Sequence, residues 1–270
     1  MNESNTNDEV AGLRKLVDAG CELLSAAGGG TAGAMVGSLV AGPVGTAVGG
    51  AAGWVVTRGL EKLGKEFGER MLAPREEARV GCVLALAMQG IQERIESGQE
   101  FRSDGFFDST HTGRSEAEEV LENILLKSQR EPEEKKLPYM ANLLANIAFD
   151  STISAEMAHQ ITKTAGELTF RQLCVLQLAV MKKGFDLRDS DYRGQESFDK
   201  ELYQILYECS GLYLRGYINF GGEVLFGPTD VKPASMTVQG LGADTYNLMQ
   251  LVDIPRHEIE PIASRLRSDG

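Results

Sequence analysis

Few residues of this chain have the type and spacing that enzyme chemistry needs. The sequence contains neither the nucleophile-elbow motif G-x-S-x-G nor the zinc motif H-E-x-x-H. The chain has three histidines, His111, His159 and His257. None of them has a partner at zinc-ligand spacing. The run "HEIE" at His257 lacks a second histidine and is interpreted as a charged helix face. The sequence therefore predicts no catalytic residue, no metal site and no cofactor.

A glycine pattern near the start of the chain raises the question of phosphate binding. Gly28, Gly30 and Gly33 satisfy G-x-G-x-x-G, which in dinucleotide sites follows a strand and opens a helix. Here an amphipathic helical pattern precedes the glycines, and no Lys-Ser or Lys-Thr pair follows as in a P-loop. Nucleotide binding is therefore disfavoured, and an enzyme is the weakest of the functional classes considered.

The cysteines and the net charge also limit the possible functions. The four cysteines lie in or beside apolar helical patterns without any CxxC pair, which indicates buried reduced thiols; they are Cys21, Cys82, Cys174 and Cys209. The chain carries 39 acidic and 27 basic residues, a net charge of −12 that opposes non-specific attraction to nucleic acid. The beginning "MNESNTNDEV" lacks a basic signal-peptide region, so we expect a cytoplasmic protein.

An uncharged, glycine-rich stretch extends from Leu23 to Thr57, divided by the turn signal Gly42-Pro43. Glycines recur at intervals of four on both sides of this turn, and residues at i and i+4 share one face of a helix. The first arm carries Gly29, Gly33 and Gly37, and the second carries Gly45, Gly49, Gly53 and then Trp54. Such faces let two backbones approach closely, so the stretch resembles a glycine-zipper helical hairpin that self-associates.

The hairpin has two possible environments. Arms of about 15–19 residues would reach about 22–28 Å at 1.5 Å per residue, which is shorter than the bilayer core of about 30 Å. Insertion would require several copies that pack their glycine faces together and thin the bilayer. A tightly packed hairpin inside a soluble oligomer is the alternative, and the sequence leaves both open.

Two amphipathic segments flank the glycine stretch. Segment 8–27 has an apolar stripe that includes Leu13, Val17 and Leu24, and segment 58–72 has one that includes Leu60, Leu63 and Phe67. An antiparallel hairpin would bring these stripes together at its base. We therefore predict that they pair as a latch that holds the hairpin in a resting state.

The chain is predicted to be mainly α-helical and to have three parts. An N-terminal region at 1–72 is followed by a helical middle domain at 73–153 and a winged-helix-like α+β domain at 154–270. Ser115 and Thr169 have the pattern of helix caps, and Pro138 should kink or restart its helix. In the last domain "YINFGGEVLFG" is predicted to form two strands joined by Gly221-Gly222.

The helix before these strands would be the recognition element of a winged helix. Its expected exposed residues make a net acidic face, and they are Asp199, Lys200, Glu201, Gln204 and Glu208. Because phosphate contacts dominate DNA affinity, this face predicts a protein-interaction module rather than a DNA reader.

The segment "KKLPYMANLLANIAFDSTISAEMAHQITKTAGELTFRQLCVLQL" resembles the bacterial Abi-alpha family, which is linked to abortive phage infection. The resemblance covers about residues 133–177 and is carried by Met140 to Ala145 and by Leu168-Thr169. It implies a non-enzymatic anti-phage effector. Together with the glycine arms, this predicts a homo-oligomer that is cytoplasmic and conditionally at the inner membrane, with membrane lipid and a protein trigger as partners. A soluble regulatory protein whose winged helix binds a protein or nucleic acid is the alternative.

Overall fold

The computed structural model describes residues 72–111 and 113–267. The glycine arms, Trp54 and the six predicted latch residues lie outside the described residues. The described chain is mainly helical, with eight α-helices and a two-stranded antiparallel sheet near its C-terminal end. It forms two compact units, with the boundary between Glu167 and Leu168.

The first unit contains four helices, which are α1 (Pro74–Glu96), α2 (Glu116–Gln129), α3 (Leu137–Ile147) and α4 (Ala155–Glu167). Helix α1 packs against α2 and α3, and α4 packs against α2 and α3. The predicted stripe of α1 faces this core, since Leu84, Met88 and Ile91 are buried. The unit is therefore a helical bundle, as the apolar periodicity of its sequence predicts.

Local signals define where the helices of this unit begin. The hydroxyl of Ser115 accepts a hydrogen bond from the Glu118 N–H at 3.2 Å, and the Glu118 carboxylate accepts one from the Ser115 N–H at 2.9 Å. This reciprocal capping box confirms the predicted start of α2. A short 3-10 turn, Glu134–Lys136, precedes α3, and Pro138 lies in the first turn of α3. Pro138 thus restarts the helix, at a position where its missing N–H costs nothing.

Helix α3 is the centre of the first unit's core. The run from Met140 to Ala145, which carries the resemblance described above, is buried except for half-buried Asn142. Its large side chains, Met140, Leu143 and Leu144, are at most 1% exposed, so the motif has a packing role in the core.

Helix α4 belongs to the first unit. Its apolar face, Ala158, Ile161 and Ala165, is fully buried, and the helix packs on α2. The domain boundary predicted at residue 154 lies before this helix, whereas the division between the compact units lies after it.

The second unit contains α5 (Phe170–Met181), α6 (Lys200–Leu214), β1 (Ile218–Phe220), β2 (Met236–Val238), α7 (Gly240–Leu248) and α8 (Arg256–Arg265). Helix α5 is central, since it packs against α6, α7, α8 and β2. Thr169 caps it through a second reciprocal box with Gln172, as predicted. The buried side of α5 includes Leu173, Val175 and Leu176.

The strand pairing differs from the prediction. Strand β1 pairs with β2, with Ile218 opposite Val238 and Phe220 opposite Met236, rather than with residues 223–226. Gly221 and Gly222 both have positive φ, as expected of a turn. Beyond this turn, however, the N–H of Phe226 donates to the Asp230 carboxylate at 2.7 Å. Residues 223–226 therefore form a loop: the Glu223 N–H closes the turn onto the Phe220 carbonyl at 3.2 Å, and the Phe226 N–H is bound by a side chain rather than by a strand.

Candidate interaction surface

Helix α6 positions the first part of the candidate site. The Asp199 carboxylate caps the helix by accepting hydrogen bonds from the N–H groups of Glu201 and Leu202, at 2.9 and 3.1 Å. One side of the helix is buried in the unit, and its residues are Leu202, Ile205, Leu206, Cys209 and Leu212. Because this buried side is continuous, the orientation of the opposite side is determined as well.

The opposite side of α6 exposes apolar side chains. Tyr203, Tyr207, Gly211 and Leu214 follow one another at helical spacing, and we call these four residues the α6 face. Tyr207 is 60% exposed and Leu214 is 76% exposed. At Gly211, a Cβ atom would meet no heavy atom of the described chain within 4 Å. The α6 face is thus an apolar stripe with a gap at Gly211.

A second exposed apolar element follows β1. In the loop 221–227, Val224 and Phe226 project outwards on either side of buried Leu225, and Phe226 is 89% exposed. The short turn Pro228–Asp230 that follows this loop packs against α6. Five of the eight large exposed apolar residues of the described chain lie between 203 and 226. This concentration is typical of an interaction surface.

The loop 221–227 is held in place by a buried carboxylate. Asp230 accepts hydrogen bonds from the Phe226 N–H and from the Arg193 guanidinium, each at 2.7 Å. The hydrogen bond from Arg193 is the main cause that lowers the pKa of Asp230. Phe226 is therefore presented on an anchored backbone, which reduces the entropy lost when a partner binds.

Glu208 departs from the expected exposed acidic face, since it is buried. Its carboxylate accepts two hydrogen bonds from the Arg171 guanidinium of α5, at 2.8 and 2.6 Å. The other four residues of that predicted face are exposed, and they are Asp199, Lys200, Glu201 and Gln204. The predicted exposure of Glu208 is wrong, because the Arg171 partner that buries it lies 37 residues away in the sequence.

Two basic side chains near the α6 face and the loop 221–227 are matched by carboxylates. Arg265 approaches Asp199 at 3.4 Å and Glu201 at 3.3 Å. Near the loop 221–227, Lys232 pairs with Glu223 at 2.7 Å. A DNA-reading surface needs cations directed at phosphates, so this arrangement is suited to a protein surface instead.

The cysteines of the described chain lie in its core. Cys82, Cys174 and Cys209 form no disulfide and are buried, as predicted. Burial is the main cause that raises the pKa of the Cys209 thiol to about 12, so it stays protonated at neutral pH. Within residues 72–111 and 113–267, no three His, Cys, Asp or Glu side chains are grouped to hold a metal ion.

The first unit contains a small cavity without polar lining. It lies between α1, α2, α3 and the loop before α2, and its lining includes Ile91, Phe106, Phe107, Ile124 and Leu144. A water molecule would find no hydrogen-bond partner in such a cavity. We interpret the cavity as a gap in the packing of the core.

Comparison with protein-family models, with curated proteins and with solved structures gave no significant match. Within the described residues, no helix combines the length and the apolar character required to cross a membrane.

The sequence contained a signal for the α6 face. The run "LYQILYECSGLYL" is apolar on more than one side of the helix, so part of its apolar surface has no place in the core. By contrast, the backbone position of Phe226 depends on Asp230, and local periodicity does not reveal this contact.

Proposed function

We propose that this chain is a non-enzymatic bacterial anti-phage effector of the abortive-infection type. The glycine-zipper hairpin self-associates and perturbs the inner membrane. The second unit is a winged-helix-like docking module for protein contacts, and the latch residues of the two flanking segments hold the hairpin at rest. The observation that carries the proposal is the exposed apolar surface of α6 and the loop 221–227.

The order of elements supports the winged-helix interpretation. Two helices, α5 and α6, precede a two-stranded antiparallel sheet, and two further helices, α7 and α8, follow it. In DNA-binding relatives of this plan, the second helix reads the major groove. Here that helix presents two tyrosines and a leucine, and Arg265 beside it is engaged with two carboxylates. Such a surface favours a protein over a nucleic acid.

The glycine arms support the membrane part of the proposal. Glycine costs a helix about 0.8–1 kcal/mol relative to alanine, so six glycines at intervals of four need a compensating contact. Close packing of several copies supplies that contact. An effector of this kind needs restraint before infection, and the apolar stripes at 8–27 and 58–72 are suited to provide it.

Phage challenge of cells that express the chain tests this function. We expect survival of the culture and loss of the infected cells with wild type, and movement of the chain into the membrane fraction during infection. The double variant Gly37→Leu/Gly49→Leu should abolish both effects. A matched control, Gly194→Leu, changes an exposed glycine with no heavy atom near its Cβ position.

Two outcomes would contradict the proposal. Protection that is unchanged in the Gly37→Leu/Gly49→Leu variant would remove the glycine arms from the mechanism. A chain that stays out of the membrane fraction, or is released from it by a high-salt wash, and that binds duplex DNA would favour the soluble regulatory alternative. For the latch, Leu13→Asp/Val17→Asp should change toxicity or oligomer size, and a variant equal to wild type in both would exclude it.

A further inference from the structure

We propose that the α6 face is a self-docking surface, which pairs in antiparallel orientation with the same face of a second copy of this chain. Tyr207 of one copy would lie over Gly211 of the other. This inference rests on the proposed function, because the exposed apolar surface of α6 carries that function and the inference names the partner of this surface. It assigns self-association to a second site, separate in sequence from the glycine arms.

Gly211 is the first reason for a helical partner. It lies within α6, where glycine weakens a helix relative to alanine. Nothing within the described chain uses the space that its missing side chain leaves, since a Cβ there would have no neighbour within 4 Å. Gly242, in contrast, is required by close contact with the backbone of Tyr217. The gap at Gly211 therefore has no use inside one copy and fits the close approach of another helix.

Charge is the reason for choosing a second copy as the partner. Residues 168–267 carry 13 acidic and 11 basic side chains, whereas residues 72–167 carry 17 acidic and 10 basic ones. Two copies that met through the first unit would repel each other, but the second unit is nearly neutral. A two-fold interface brings each residue type to both sides, so a surface with both signs can match itself.

The exposed charges next to the α6 face include both signs. Lys200, Glu201 and Arg215 are all exposed on α6 or at its end. An antiparallel pair with its two-fold axis near Cys209 places Tyr203 opposite Arg215 of the second copy. Arginine over a tyrosine ring is a favourable cation–π contact. The pairing thus places Tyr203, at one end of the face, against a cation at the other end of the second copy's helix.

The loop 221–227 extends the contact area. A stable interface buries about 800 Å² on each partner, and the α6 face, about 17 Å long at 1.5 Å per residue, cannot supply this alone. Phe226 and Val224 add apolar surface beside α6, through the turn that packs on the helix. Because Asp230 holds the backbone of Phe226, this part of the surface is preformed.

Cysteine cross-linking of the full chain tests the proposal directly. In a Cys21→Ser background, Gly211→Cys places a thiol on the α6 face, while Cys82, Cys174 and Cys209 are buried. A short bismaleimide should join two copies through Gly211→Cys. The matched control is Val252→Cys, at an exposed apolar residue outside the face. Equal cross-linking of the two variants, or none at Gly211→Cys, would overturn the proposal.

A second measurement detects the loss of docking. In the Gly37→Leu/Gly49→Leu background, which removes association through the glycine arms, sedimentation should show a concentration-dependent dimer. Gly211→Gln should raise its dissociation constant at least tenfold without lowering thermal stability, because the monomer has space for the side chain. The control Gly194→Gln should leave the constant unchanged. A monomer at all concentrations, or equal effects of both glycine variants, would exclude self-docking.

Failure here is distinguishable from failure of the proposed function. Cross-linking and sedimentation are read on purified chain, whereas the proposed function is read as cell survival and membrane fractionation. Retention of duplex DNA or of anionic phosphatidylglycerol vesicles by wild type, lost in Tyr207→Asp, would replace the second copy with another occupant and overturn the inference.

Discussion

Gly242, in the first turn of α7, packs directly against the backbone of Tyr217, which precedes β1. A Cβ atom at Gly242 would lie 2.8 Å from both the Cα and the carbonyl carbon of Tyr217. The Tyr217 carbonyl also accepts a hydrogen bond from the Gln239 N–H at 3.0 Å. Neither backbone segment can therefore move away without breaking the contact that joins α7 to the sheet.

We expect Gly242→Ala to destabilise the second unit by about 1–3 kcal/mol, the usual cost of overpacking, or more because backbone is displaced. Guanidinium unfolding followed by far-UV circular dichroism measures this change. Gly211→Ala is the matched control, since its Cβ meets open space, and it should stabilise α6 by up to about 1 kcal/mol. Equal stability of the two variants would contradict the contact.

A buried ion pair stabilises the turn between α2 and α3. The side chains of Lys136 and Glu131 are 2% and 4% exposed, and the ammonium lies 2.5 Å from the carboxylate. Glu131→Met would leave the ammonium buried without its counter-ion. We expect a loss of about 3–5 kcal/mol in the free energy of unfolding.

The double variant Glu131→Met/Lys136→Met should recover at least half of that loss, because it removes both charges together. The comparison pair is Lys232 with Glu223, which is more exposed. Lys232→Met should cost no more than about 1 kcal/mol. A double variant that is less stable than Glu131→Met would show that the two side chains are not coupled.

Asp230 should make the second unit sensitive to acid. Its pKa in the folded chain is lowered chiefly by the hydrogen bond from Arg193, below the unfolded value of about 3.9. A lowered carboxyl pKa stabilises the fold above about pH 4, and this stabilisation is lost as the pH falls through the folded pKa. Asp230→Asn should therefore lower the free energy of unfolding at pH 7 by about 1–2 kcal/mol. The loss is no larger because Arg193 is partly exposed to solvent, which weakens the ion pair.

The difference between wild type and Asp230→Asn should narrow as the pH falls below about 4. Denaturant unfolding between pH 7 and pH 2.5 measures it. Asp189→Asn, at an exposed aspartate, should behave as wild type throughout. A cost of Asp230→Asn that is constant over this range would argue against a charged contact with Arg193.

The boundary between the two units can be tested with two fragments. The apolar face of α4 is buried against helices of the first unit. A fragment 154–270 would expose that face, whereas a fragment 168–270 would not. We expect the shorter fragment to be the more soluble of the two and to bind less of an apolar dye. Stronger dye binding by 168–270 would contradict the assignment of α4 to the first unit.

Sequence reasoning predicted the elements whose signals are local. The caps at Ser115 and Thr169 and the restart at Pro138 involve residues within four positions of each other, so composition and spacing are sufficient to find them. The helical character of the chain and the buried cysteines followed from the same periodicity. The resemblance to the abortive-infection family, the latch and the glycine-zipper hairpin stay predictions.

Only the tertiary structure decided the features that join distant residues. β1 pairs with β2 rather than with its sequence neighbour, Glu208 is buried by Arg171, and α4 packs with the helices before it. The exposure of Tyr207 and Phe226 is of the same kind, since a side chain is exposed only if no other element covers it. Local pattern determines which face of a helix is apolar, but the choice between core and partner depends on contacts made across the fold.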